Sequence, residues 1–249
     1  MPPQTLNIVL FGETGVGKSS VINLIAGRPI AKTSPDADGC TMHSQDYRFD
    51  LGPRQISIWD TVGLEEPQIG VNGYYAAIIK AYSLIRKLNE AGGVDLLLFC
   101  IRGNRITATT QSNYRLFYEV LCDKQVPIAL VITHLEREPR MEDWWERNKD
   151  NISRYGIKSA SHACVTGAVD RGPKYKESRN AISELLSQHD NRGRFFMPPE
   201  PWFTRFLQGL AGFFSKSSPI GKDFARNLVK RCGLDWETAH HLAMQLQGG

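Results

Sequence analysis

The chain has 249 residues, of which 41% are apolar and 22% charged, with a formal net charge of +4. That is enough to bury one substantial core and carry an appendage, in the balance of a soluble globular protein. The small, scattered basic excess speaks against a nucleic-acid partner, and no run of 18 apolar residues offers a membrane-spanning helix. Five dispersed cysteines show no C-x-x-C pair and no metal-ligand spacing, so reduced thiols in the cytoplasm are expected. The first five residues lack the charged and apolar regions of a signal peptide.

Taken in chain order, strand-length apolar runs alternate with longer segments of helical period. The strands expected are Leu6–Phe11, Ser44–Asp50, Gln55–Asp60, Val94–Ile101, Pro127–Thr133 and His162–Thr166. Helices are expected at Lys18–Ala26, Gly73–Glu90, Thr109–Asp123, Met141–Asn151 and Lys174–His189. Leu51-Gly52-Pro53-Arg54 reads as a turn that folds the second and third strands into an antiparallel hairpin. This alternation predicts an α/β, doubly wound fold with a mostly parallel six-stranded sheet. It stops near residue 190, so residues 1–190 are expected to form the main domain and residues 191–249 a helical extension.

The first strand runs into Gly12-Glu13-Thr14-Gly15-Val16-Gly17-Lys18-Ser19 and then a helix. Strand, G-x-x-x-x-G-K-[ST] and helix together are the pattern of a phosphate-binding loop. Its glycines let backbone N–H groups from Gly12, Thr14, Gly15, Val16, Gly17, Lys18, Ser19 and Ser20 converge on a triphosphate beside a helix N-terminus. Lys18 would reach the β- and γ-phosphates, and the Ser19 hydroxyl would ligate Mg²⁺.

Three further segments complete the candidate site. Thr41, in the polar loop before the second strand, would close over the γ-phosphate and finish the Mg²⁺ shell; Thr33 is the weaker choice. Asp60-Thr61-Val62-Gly63 ends the third strand, with Asp60 on the metal through water and the Gly63 N–H on the γ-phosphate. Thr133-His134-Leu135-Glu136 ends the fifth strand, where most GTPases carry Asn-Lys-x-Asp. Glu136 can accept hydrogen bonds from the guanine N1–H and exocyclic amine, which adenine does not offer, and His134 can lie against the purine. At the end of the sixth strand, Val165 and Thr166 would bring a backbone N–H to the guanine O6. Leu64 follows Gly63 where a water-orienting glutamine stands in Ras-like enzymes, so unaided hydrolysis is expected to be slow.

From Trp202 to Phe214, Trp202, Phe203, Phe206, Leu207, Leu210, Phe213 and Phe214 fall on one face of a helix. That stripe is expected to dock on the main domain or, as the alternative, to lie in a membrane interface.

The order of Gly12–Ser19, Gly39-Cys40-Thr41, Asp60–Gly63, Thr133-His134-x-Glu136 and the Cys164 strand resembles the paraseptin-type GTPases. That group takes in the immunity-associated (GIMAP) GTPases, the chloroplast-import Toc receptors and the septins. The resemblance covers about Leu6 to His189. It implies a guanine-nucleotide-dependent G domain with Mg²⁺ that dimerises across its nucleotide face, often beside a membrane. In the immunity-associated family a Gly-Arg-x-Thr segment after the fourth strand supplies an arginine across the dimer. Here Arg102-Gly103-Asn104-Arg105-Ile106-Thr107 is comparable, and Arg105 matches that arginine although Asn104 replaces the glycine. The function expected is GTP hydrolysis activated by dimerisation. A septin-like assembly unit that keeps GTP as a cofactor is the alternative, and a P-loop ATPase or kinase a third reading.

Overall fold

The computed structural model describes residues 5–32, 45–61, 71–169, 172–189, 194–196, 198–199, 201–206, 225–226, 229 and 236–247. The strands are β1 (Thr5–Phe11), β2 (Gln45–Leu51), β3 (Arg54–Asp60), β4 (Leu96–Arg102), β5 (Ile128–Thr133) and β6 (Ser161–Cys164). They form one sheet in the order β2-β3-β1-β4-β5-β6. Only β2 runs antiparallel to its neighbour, pairing with β3 through the Gly52-Pro53 turn. The helices are α1 (Lys18–Ala26), α2 (Val71–Glu90), α3 (Ala108–Tyr114), α4 (Glu142–Arg154), α5 (Gly172–Ser187) and α6 (Trp236–Gln247).

The central strands are apolar on both sides, as buried parallel strands must be. Side chains alternate between two cores. Ile8, Leu10, Leu96, Leu98 and Cys100 face α1 and α5. Val9, Phe11, Leu97, Phe99 and Ile101 face α2, α3 and the C-terminal segment. On that second face Phe11 stacks between Phe99 and Phe117, with ring centroids 4.6 and 4.5 Å away.

Two elements depart from expectation. The helix foreseen over Thr109–Asp123 is α-helical only to Tyr114 and then continues as a π-helix, Arg115–Leu121. Its buried residues Phe117 and Leu121 are four apart, a spacing that suits either winding, so the pattern of apolar residues does not separate them. The sixth strand ends at Cys164 rather than Thr166, because the Thr166 N–H turns away from the sheet to donate to Ser178 Oγ of α5 at 2.9 Å.

The described residues beyond 190 pack on the same core. Phe195 bridges Val94 in antiparallel fashion, and Arg194 pairs with Asp95 at 2.9 Å and donates to the Thr5 carbonyl. Trp202, Phe203 and Phe206 are buried, Phe203 against Tyr82 of α2, while the Trp202 indole N–H donates to the Leu121 carbonyl at the end of the π-helix. Leu207, Leu210, Phe213 and Phe214 of the expected stripe lie outside the described residues. Among those residues no helix is long and apolar enough to cross a membrane.

Candidate active site

The loop between β1 and α1 sits at the carboxyl ends of the parallel strands, where open α/β sheets hold their ligands. Gly12 has φ 145°, and a Cβ there would lie 2.2 Å from the Cys100 carbonyl oxygen, so only glycine lets the loop lean on β4. The Val16 N–H donates to the Glu13 carbonyl at 3.2 Å, and Gly17, in left-handed conformation, opens α1. Lys18 is 7% exposed and folds back across the loop, donating to the carbonyls of Gly12 at 2.7 Å and Glu13 at 3.2 Å. Its charge is thus held inside the loop that the exposed residues Thr14 and Gly15 surround.

Ser19 stands in the first turn of α1, with Ser20 behind it against Gly167. Asp60 closes β3 in register with Leu10 of β1, which carries its carboxylate to the base of the loop, 4% exposed. A hydroxyl and a buried carboxylate are hard oxygen donors of the kind Mg²⁺ takes, so the residues present fit that ion. Thr41 and Gly63, the other two expected partners of metal and γ-phosphate, fall outside the described residues, as do Thr33 and Leu64.

On the base side, the end of β5 is stitched to the phosphate loop. Thr133 is buried, and its hydroxyl donates to the Val16 carbonyl at 2.6 Å. With that proton committed, the His134 Nδ1 at 3.0 Å must be the donor in the Thr133–His134 contact. His134 has φ 61°, a left-handed turn that lays its ring over Gly17. Burial pushes the imidazole below the usual histidine range and the nearby Arg102 adds to this, while Glu136 opposes them. Glu136 is half-buried, and its Oε2 accepts from the Thr166 hydroxyl at 3.3 Å. The Thr166 oxygen in turn accepts from the Ala168 N–H at 3.1 Å, and Lys174 donates to the Glu136 carbonyl at 3.1 Å. Val165 links the same two loops: its N–H donates to Ile132 and its carbonyl accepts from Leu135. Glu136, Val165 and Thr166 come together, but not in the way expected of the last two: the Val165 N–H is taken by the Ile132 carbonyl and the Thr166 N–H by Ser178 Oγ, and both residues are fully buried, so neither N–H is left for a guanine O6.

Arg105 is exposed in the loop between β4 and α3. A groove of about 180 Å³ separates that loop from the phosphate loop, lined by Glu13, Thr14, Gly15, Arg102, Asn104 and Arg105 among others. Two contacts of the site carry no signal in the sequence: the motif pattern does not mark Thr133 as the tie to Val16, and Glu13 falls on an x of G-x-x-x-x-G-K-[ST]. Its carboxylate takes hydrogen bonds from the hydroxyls of Thr107 and Thr110.

The profile of a family described as 50S ribosome-binding GTPase matches residues 7–134, more than half of the chain and the span from β1 through His134. The chain belongs to that family. Among curated relatives, GTPase Der of Campylobacter fetus subsp. fetus is 30% identical over 214 residues, covering 82% of this chain but 43% of Der. GTPase Der of Campylobacter curvus is 29% identical over 159 residues, or 31% of its length. The chain thus spans less than half of the curated relatives it matches. Among solved structures, Era with MgGDPNP and nucleotides 1506–1542 of 16S ribosomal RNA aligns over 79% of this chain and 60% of that one, at TM-score 0.58 and 18% identity. Toc33 of Arabidopsis thaliana in complex with GDP and Mg²⁺ aligns over 78% and 88%, at TM-score 0.56 and 16% identity. At such identities these likenesses speak for the fold, which is that of a GTP-binding G domain.

Proposed function

We propose that this GTPase-family domain binds GTP with Mg²⁺ and hydrolyses it to GDP, slowly alone and faster when two copies meet across their nucleotide faces. The observation that carries the reading is the stitching of one site from three loops: Thr133 ties the loop after β5 to Val16, and the Thr166 hydroxyl donates to Glu136, the carboxylate that would meet a guanine edge. Lys18 would neutralise the β- and γ-phosphates and loop N–H groups would hold their oxygens. Ser19, Thr41 and Asp60 would hold Mg²⁺, which supplies charge stabilisation on the phosphoryl oxygens. Conversion to GDP would reorganise the segments around Thr41 and Gly63.

Dimer activation rests on Arg105, exposed at the rim of the groove beside the phosphate loop and thus available to another copy. The Toc likeness supports this within the paraseptin-type reading, since dimerisation is described as important for the GTPase activity of atToc33 and psToc159. Guanine nucleotide and a second copy are the partners in this reading; nucleic acid is not, given the scattered charge. The cytosol is its place, with Cys100, Cys122 and Cys164 all free and buried.

The test is GTP turnover per protomer against protein concentration, with Arg105→Ala, an ATP control and 16S RNA binding alongside. A specific rate that rises with concentration and falls at least about tenfold in the variant is expected, since arginine fingers supply ~10³–10⁵ in kcat. A flat rate indifferent to Arg105 would remove dimer activation, ATP turnover above GTP turnover would remove the guanine assignment, and tight RNA binding would restore nucleic acid as a partner.

A further inference from the structure

A glutamate in a loop built to cradle a triphosphate places a like charge beside its ligand. In this chain Glu13 does not face that way. Its backbone stays in the loop, where its carbonyl accepts from Val16 N–H and Lys18 Nζ, while its carboxylate reaches across to both Thr107 and Thr110. Those two threonines form the capping box of α3: the Thr107 hydroxyl accepts from the Thr110 N–H at 3.0 Å, and the Thr110 hydroxyl accepts from the Thr107 N–H at 3.3 Å. Thr110 is buried, so the Glu13–Thr110 contact is partly shielded, while that to Thr107 lies at the surface.

The segment from Gly103 to Thr107 is consequently fixed at both ends. At its start, the Gly103 N–H donates to the Thr133 carbonyl at 2.9 Å, and a Cβ on Gly103 would lie 2.3 Å from Leu135 Cδ2. At its end, Thr107 is held by Glu13. Arg105 stands midway between these anchors on the wall of the groove. We propose that Glu13 is a positioning residue: it locks the Arg105 loop to the phosphate loop, so that Arg105 is presented in one place relative to the phosphates when two copies meet. The inference rests on the dimer-activated reading above. It makes Glu13 act through Arg105 and not through nucleotide affinity.

The experiment is a double-mutant cycle on the full chain, reading kcat at saturating GTP and high protein concentration, with the Kd of fluorescent GDP measured in parallel. Glu13→Ala is expected to lower kcat about tenfold with Kd changed less than about threefold, whereas Glu13→Gln, which keeps a carbonyl acceptor for the two hydroxyls, retains most of the rate. In an Arg105→Ala background, Glu13→Ala should lower kcat less than about twofold further. The double variant Thr107→Val with Thr110→Val should reproduce Glu13→Ala without touching the phosphate loop. A full loss from Glu13→Ala in the Arg105→Ala background would overturn the proposal, as would wild-type kcat in Glu13→Ala when Arg105→Ala is impaired. An unimpaired Arg105→Ala would instead overturn the dimer-activated reading and this proposal with it.

Discussion

Thr133 has one proton and three neighbours: the carbonyls of Val16 and Ile101, at 2.6 and 3.2 Å, and the His134 ring. Thr133→Val keeps the shape and removes that proton, leaving the Val16 carbonyl without its donor inside the protein. A loss of about 1–3 kcal/mol in unfolding free energy is expected from urea titration, together with weaker GDP binding. His134 sets a pH dependence. Its folded pKa is depressed, so the unfolded chain takes up the proton first as pH falls below the usual histidine value. Stability should be level above that value, decline as pH falls towards the folded pKa, and level off again below it; His134→Gln should flatten this part of a Tm-against-pH curve. The pattern around Thr133 and Glu136 was legible as a candidate site segment because it ends a strand. Glu13 was not, since its role exists only once the sheet order sets β4 and the start of α3 beside the phosphate loop.

Among the elements, the α3–π-helix pair and the first turn of the C-terminal segment form one unit. Trp202 fills the core and its indole N–H meets the Leu121 carbonyl at the π-helix end. Trp202→Ala removes both, and a loss of about 3–5 kcal/mol is expected in chemical denaturation. Asp123 pairs with Arg205 at 2.8 Å, but both side chains are more than half exposed. Asp123→Ala should therefore change stability by less than about 1 kcal/mol. The strands, the phosphate loop and the hairpin were readable because period and turn residues encode them locally. The end of β6 at Cys164 and the winding of residues 115–121 were not: the first depends on Ser178 of α5 taking the Thr166 N–H, and in the second the buried Phe117 and Leu121, four apart, suit either winding.

At the scale of the whole molecule, the alternation of strands and helices was enough to foresee a doubly wound sheet, since right-handed crossovers leave few arrangements open. The change of character near residue 190 says less about packing: Val94 pairs with Phe195, and Trp202, Phe203 and Phe206 share a core with β1 and β4. A chain stopped after residue 190 should melt on the order of 10 °C lower than the full one, or aggregate, when followed by circular dichroism on heating.

Arg194 ties the clasp over β1 through the Thr5 carbonyl, a contact between residues 189 apart, and pairs with Asp95 on the way. During synthesis, at roughly 5–20 residues per second, the Thr5 carbonyl therefore waits about 10–40 s for the arginine that meets it. Through that interval Trp202, Phe203 and Phe206 have also yet to reach the core they share with β1 and β4, so the nascent chain holds an apolar sheet face that its own later segments still leave open.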